Sequence, residues 1–91
     1  MNKQIHLYIT GKVTGVFFRA FAKQQASKFR LVGWVKNTKE GALEIVVYGE
    51  EKNLDAFVAV SRRGPMGANV LNLHIKEEAV EEFEYFDVRP T

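Results

Sequence analysis

The chain has 91 residues, 46% of them hydrophobic and 26% charged, which suits one small core and excludes a multi-domain enzyme, a TIM barrel, a full doubly wound nucleotide fold, disorder and collagen. It contains no cysteine, so disulfides, thiolate zinc sites and cysteine nucleophiles are excluded, and a cytoplasmic location is expected for a small domain without staples. The net charge of +2 is uneven, +6 over residues 1–49 and −4 over residues 50–91; the basic front half either handles an anionic ligand or reflects solvated faces.

Residues 4–10 alternate. Ile5, Leu7 and Ile9 fall on one side and Gln4, His6, Tyr8 and Thr10 on the other, the pattern of a half-buried strand. Gly11 and Gly15 follow. From Phe18 the spacing turns helical: Phe18, Phe21, Ala22, Gln25, Ala26 and Phe29 share a face, with Lys23, Gln24, Ser27 and Lys28 opposite. Residues 31–37 read as a second strand, Thr38-Lys39-Glu40-Gly41 as a turn, and residues 42–48 as a third strand, with Leu43, Ile45 and Val47 inward and Glu44 and Tyr48 outward.

Residues 50–62 form a second predicted helix. Glu50, Glu51 and Asp55 lie toward its start and Arg62 and Arg63 at its end, as the macrodipole favours. Its inner stripe is Leu54, Phe57, Val58 and Ser61. Gly64-Pro65-Met66-Gly67 breaks it. A fourth strand is expected over 69–77, with Leu71, Leu73 and Ile75 on one side, and a short last strand within Phe83–Val88. No apolar run reaches membrane-spanning length, and the N-terminus lacks the apolar block of a signal peptide.

The order βαββαβ plus a short C-terminal strand predicts an α+β, ferredoxin-like α/β sandwich: one mainly antiparallel sheet with two helices on one face, residues 1–91 forming a single domain. Right-handed crossovers make the first two strands parallel, with the third antiparallel between them. Residues 11–19 and residue 37 then face a common crevice across about 10 Å, twice the strand spacing.

The segment Gly11-Lys12-Val13-Thr14-Gly15-Val16-Phe17-Phe18-Arg19 is unusual for a loop because it holds Val16, Phe17 and Phe18, apolar groups expected to anchor it to the core. Glycine lets the backbone turn sharply and approach a ligand. The loop opens a helix, where N–H groups lack intrahelical partners and can converge on phosphate. Arg19 adds a planar fork of donors at a helix end where a cation is otherwise unfavourable. The plainer reading is a strand–helix turn whose arginine reaches solvent. Asn37, at the end of the second strand, can accept and donate at once, holding a water and a substrate oxygen; the plainer reading is a turn-initiating asparagine bonded to its own backbone.

Two blocks resemble the acylphosphatase family. Gly11 to Arg19 is similar to its Gly-x-Val-Gln-Gly-Val-x-[Phe/Tyr]-Arg loop. Gly33-Trp34-Val35-Lys36-Asn37, followed by Gly41, Leu43 and Gly49, resembles its second signature, Gly-aromatic-small-basic-Asn-x-x-x-Gly-x-Val with a later glycine. Gly64-Pro65, Ala68 and Val70 resemble a loop of bacterial members. The resemblance covers essentially the whole chain. It implies hydrolysis of the carboxyl–phosphate bond of small acyl phosphates to a carboxylate and inorganic phosphate, with no metal and no cofactor. Carried over, the backbone N–H groups of Thr14, Gly15, Val16, Phe17 and Phe18 cradle the phosphate, Arg19 binds its oxygens and Asn37 positions the attacking water. Thr14 departs from the usual Gln and Leu43 from the usual Val; a main-chain cradle tolerates the first change and a core the second.

Phosphoryl transfer through a loose transition state needs positioning and charge stabilisation above all, and a carboxylate leaves without much acid assistance. No Asp or Glu lies in the residues quoted from the loop block or from Gly33 to Asn37, so the substrate phosphate is one acceptor open to the water's proton. The expected partners are a small acyl phosphate and inorganic phosphate, without nucleic acid or membrane, acting on a monomer. Two alternatives belong to other functional classes. His6, His74, Tyr8, Trp34, Tyr48, Lys36 and Lys76 on an open sheet face would suit an RNA-recognition-like module, although the third strand lacks the aromatic pattern of such modules. A catalytically silent phosphate-binding domain would keep the cradle. His6 and His74 could also pair at a metal, but two ligands without a third make a weak site.

Overall fold

The computed structural model describes residues 1–90. Strand β1 (Asn2–Lys12) leads to helix α1 (Phe18–Lys28), strands β2 (Val32–Asn37) and β3 (Leu43–Glu50), helix α2 (Glu51–Arg63), and strands β4 (Asn69–Glu78) and β5 (Phe86–Val88). The sheet order is β4-β1-β3-β2-β5. β3 is antiparallel to both β1 and β2, so β1 and β2 run parallel with β3 between them. β4 pairs antiparallel with β1, and β5 parallel with β2. This is the ferredoxin-like α+β arrangement that the element order predicts.

Alternation decides which side chains meet. Ile5, Leu7 and Ile9 stand opposite Val47, Ile45 and Leu43 and are buried with them. Phe18, Ala22 and Ala26 of α1 and Leu54, Phe57 and Ser61 of α2 complete the covered side. Ala22 and Ala26 lie one turn apart and have no bulk, so α1 can approach the sheet closely. Burying Phe18 contributes roughly 1.5–3 kcal/mol and pins the first turn of α1, and with it the preceding loop.

Three side chains depart from the alternation reading. Leu71, expected to face the core, is 73% exposed. The register between β1 and β4 slips at Thr10/Gly11, so that Gly11 pairs with Val70, and Val70 packs against the core instead. Gly11 permits this bulge: its φ is +126°, and a Cβ there would stand 2.2 Å from the Asn69 carbonyl oxygen. Ile75, on the edge strand β4, is half exposed despite facing the covered side.

Gln4 is the third departure. It lies on the open side of β1 yet is buried. The chain after β4 must travel from one edge of the sheet to the other to reach β5, and it passes over Gln4. Gln4 Nε2 donates to Glu78 Oε1 at 3.1 Å and to Glu81 Oε1 at 2.9 Å, while its Oε1 accepts the Glu81 N–H at 2.7 Å. The last strand is correspondingly shorter than residues 83–88: the segment before Phe86 serves as this crossing.

Candidate active site

The loop between β1 and α1 is held at three points. Val13 and Phe18 are buried, and Val16 packs against the core. Phe17 is not an anchor: it is 86% exposed. The loop's backbone explains why. Gly15 (φ +70°) and Phe17 (φ +60°) both adopt left-handed conformations, which turn Phe17 outward between two inward neighbours. A bulky residue in that region is an outlier, with a cost of order 1–2 kcal/mol. Phe17 occupies the N-cap position of α1 with no side-chain cap bond; its carbonyl accepts the Phe21 N–H at 3.0 Å. Among the described residues, no turn or cap hydrogen bond takes up the N–H groups of Thr14, Gly15, Val16, Phe17 or Phe18.

Asn37 ends β2 on the same side of the sheet as Val35. Its expected competitor role, closing the following turn on its own backbone, is performed by the next residue. Thr38 Oγ1 accepts the Ala42 N–H at 3.0 Å, the Thr38 N–H donates to the Ala42 carbonyl at 2.8 Å, and the Thr38 carbonyl accepts the Gly41 N–H at 3.1 Å. Asn37 Oδ1 is not used in this turn, and it is buried with no hydrogen-bond partner among the described residues. A buried, unused acceptor costs about 1–3 kcal/mol and asks for an explanation.

Crossover geometry brings these pieces together. Gly15, Phe17, Phe18, Arg19 and Asn37 line one pocket of ≈ 570 Å³. Thr14 and Val16 belong to the same loop without lining that pocket. Arg19 does not simply extend into solvent: its Nη1 donates to the Arg89 carbonyl at 3.0 Å. Lys23 and Val88 also line the pocket. Neither stood out in the sequence. Helical spacing put Lys23 opposite the core face, which is also where a residue bordering an open pocket lies, and nothing local marks Val88 or the Arg89 carbonyl.

A second depression, of ≈ 220 Å³, lies between α2 and β4 and is lined by Glu51, Asp55 and Glu77 with Lys3. Glu51 raises the Lys3 ammonium above its ordinary range through a hydrogen bond and its charge. Three carboxylates make this the wrong surroundings for an anion. On the open sheet face, His6 Nε2 is engaged with Glu44 Oε2 at 2.8 Å, while His74 lies opposite Tyr8. Trp34 carries the Arg89 guanidinium 4.6 Å and the Lys36 ammonium 5.5 Å from its ring centre. Among the described residues, no group of three or more His, Cys, Asp or Glu is placed to hold a metal ion, and no helix is long and apolar enough to cross a membrane.

Comparison with known proteins agrees with the two sequence blocks. A family model described as Acylphosphatase matches residues 5–88. An acylphosphatase of Methylococcus capsulatus is 42% identical over 94% of this chain and 95% of its own length. The structure of an acylphosphatase from Coxiella burnetii matches with a TM-score of 0.94 at 38% identity, covering 97% of this chain and 93% of the other. That of an acylphosphatase from Bacillus subtilis matches with 0.93 at 33% identity, covering 98% and 99%. Loop block, asparagine block, strand order and overall sequence thus agree, and the chain belongs to the acylphosphatase family.

Proposed function

We infer that this protein is a hydrolase of acyl phosphates and that the pocket holding Arg19 and Asn37 is where the reaction occurs. The observation that carries this reading is the meeting, in one pocket, of a guanidinium, loop N–H groups without hydrogen-bond partners and an asparagine whose carbonyl oxygen the protein leaves unused. The loop from Thr14 to Phe18 is the phosphate-binding element. Positive φ at Gly15 and Phe17 is the backbone setting in which successive N–H groups can turn toward one side and form a concavity suited to an anion, and the opening of α1 adds its dipole. Arg19 places its planar fork on the phosphate oxygens.

Asn37 Oδ1 accepts a hydrogen bond from the attacking water and holds its lone pair toward phosphorus, while the Asn37 amide donates to a substrate oxygen. The new P–O bond forms as the bond from phosphorus to the acyl oxygen breaks, and the electron pair leaves with the carboxylate. Both hydrogens of the water end on inorganic phosphate, with a substrate phosphate oxygen as the acceptor. This chemistry asks for positioning and charge stabilisation, which fixed N–H groups and a guanidinium supply. On the same reading the protein works without metal, as a monomer in the cytoplasm, and binds no nucleic acid; the absence of cysteine from the sequence supports that compartment.

The test is hydrolysis of benzoyl phosphate with and without chelator. Turnover equal in both conditions is expected. Activity lost in chelator and restored by a divalent ion overturns the metal-free mechanism. Phosphate binding without turnover identifies the silent phosphate-binding alternative. Hydrolysis of ordinary phosphate monoesters at a comparable rate also counts against the reading, because an alkoxide leaving group needs acid assistance that the site does not offer.

A further inference from the structure

The roles given to Arg19, Asn37 and the loop leave one pocket residue unused. Lys23 follows Arg19 by four residues in α1, which places it on the same flank of the helix, about 6 Å farther along the axis. It lines the same pocket. No Asp or Glu lines that pocket, and the ion pairs among the described residues belong to Lys3, His6 and Arg89, so no described carboxylate pairs with the Lys23 ammonium. The first turn of α1 contains no acid either. The pocket's ≈ 570 Å³ is in the range of whole small-molecule sites, about 300–1,000 Å³, and so has room for an acyl chain beside the phosphate.

We propose that Lys23 is a specificity-determining residue that favours acyl phosphates whose acyl chain carries a second negative charge. The proposal rests on the acyl phosphate reading and deepens it. With the phosphate held at Arg19 and the start of α1, the acyl chain runs along the flank of the helix, past the exposed Phe17 ring and Val88, and its far end reaches Lys23. An ammonium on a flexible stem meets a terminal anion as a point charge and adapts to chain length, whereas the guanidinium of Arg19 demands a fixed geometry. Lys23 is exposed, which limits the preference to about fivefold, the upper end for a solvent-exposed ion pair.

The experiment compares succinyl phosphate with benzoyl phosphate in wild type, Lys23→Gln, Lys23→Arg and Lys23→Glu. Lys23→Gln is expected to raise KM for succinyl phosphate about 3–5-fold, with KM and kcat for benzoyl phosphate within about twofold of wild type. Lys23→Glu widens the gap to roughly tenfold, Lys23→Arg closes it, and about 1 M salt erases it by screening. Equal effects on both substrates, or none on either, overturn the proposal. A binding arm is independent of turnover: 5-phosphonopentanoate is compared with pentylphosphonate by calorimetry in the same variants. Wild type that leaves benzoyl phosphate intact overturns the enzymatic reading alone. The phosphonate pair then still decides Lys23, since a carboxylate that adds no affinity, or adds it equally in Lys23→Gln, refutes its role.

Discussion

Arg19 Nη1 donates to the main-chain carbonyl of Arg89, 3.0 Å away, across 70 residues of sequence. Arg89 is itself held: its N–H donates to the Val35 carbonyl at 2.8 Å, its guanidinium lies 4.6 Å from the Trp34 ring centre, and its Nε approaches Asp87 Oδ2 at 3.5 Å. One of the five donors of Arg19 is therefore fixed by the edge of the sheet, which orients the planar fork and leaves the remaining donors for an anion. Arg19→Ala is expected to lower kcat/KM for benzoyl phosphate about 100-fold, near 2.7 kcal/mol, and to weaken phosphate binding as well. Arg19→Lys recovers little of it, because an ammonium cannot hold the carbonyl and the phosphate in one plane. Steady-state kinetics with near wild-type values for Arg19→Lys contradict this assignment.

Asn37→Ala separates positioning from binding. Removing only the group that holds water lowers kcat by about 100–1,000-fold, the range seen when a single preorganised polar group is removed from an active site, with the dissociation constant of inorganic phosphate changed far less. The stability readout is distinctive. Oδ1 makes no hydrogen bond among the described residues, so its loss relieves a buried, unused acceptor, and Tm stays within a few degrees or rises. A purely structural asparagine gives the reverse, intact kcat with a lower Tm.

Inorganic phosphate is expected to stabilise the fold by linkage. At ten times its dissociation constant the gain is about 1.4 kcal/mol, a Tm increase of roughly 6–11 °C for a domain of this size. Excluded anions stabilise proteins without any site, so the control is Arg19→Ala at equal ionic strength. Exclusion persists in the variant and site binding largely vanishes. Equal shifts in the two proteins mean that Arg19 does not hold the phosphate.

Gly11, near the end of β1, and Phe17, at the N-cap of α1, flank the loop and respond oppositely to substitution. Gly11→Ala drives a Cβ to 2.2 Å from the Asn69 carbonyl oxygen at a φ of +126°, so β1 and β4 must separate locally; a loss of about 2–4 kcal/mol is expected, a Tm decrease of roughly 10–25 °C. Phe17→Gly instead relieves a left-handed residue whose ring is exposed. The gain is about 0.5–1 kcal/mol, a few degrees in Tm. Thermal unfolding that lowers Tm for Phe17→Gly shows that the ring has a structural contact.

The elements and their order were legible because each depends on short-range spacing. Ile5, Leu7 and Ile9 alternate within one strand and Phe18, Ala22 and Ala26 recur within one helix, and the sheet register bears out the first and burial the second. The shared pocket of Arg19 and Asn37 was legible one level higher, since right-handed crossovers put the end of β1 and the end of β2 at one side of the sheet. Apolar character marks Phe17 as an anchor but says nothing about the sign of φ, which here turns the ring outward.

The remaining details have causes distant in sequence. Leu71 is exposed because the pairing of β4 with β1 skips it between Asn72 and Val70, and Gln4 is buried because the segment after β4 crosses the open face. The Arg89 carbonyl meets Arg19 because β5 joins the far edge. The sequence alone determined the periods, the glycines and the two chemical blocks, because backbone geometry within a segment sets side-chain direction. Tertiary structure alone decided register, covering segments and which groups border the pocket, because those follow from where separate segments meet, and a segment's own period carries no information about its neighbours.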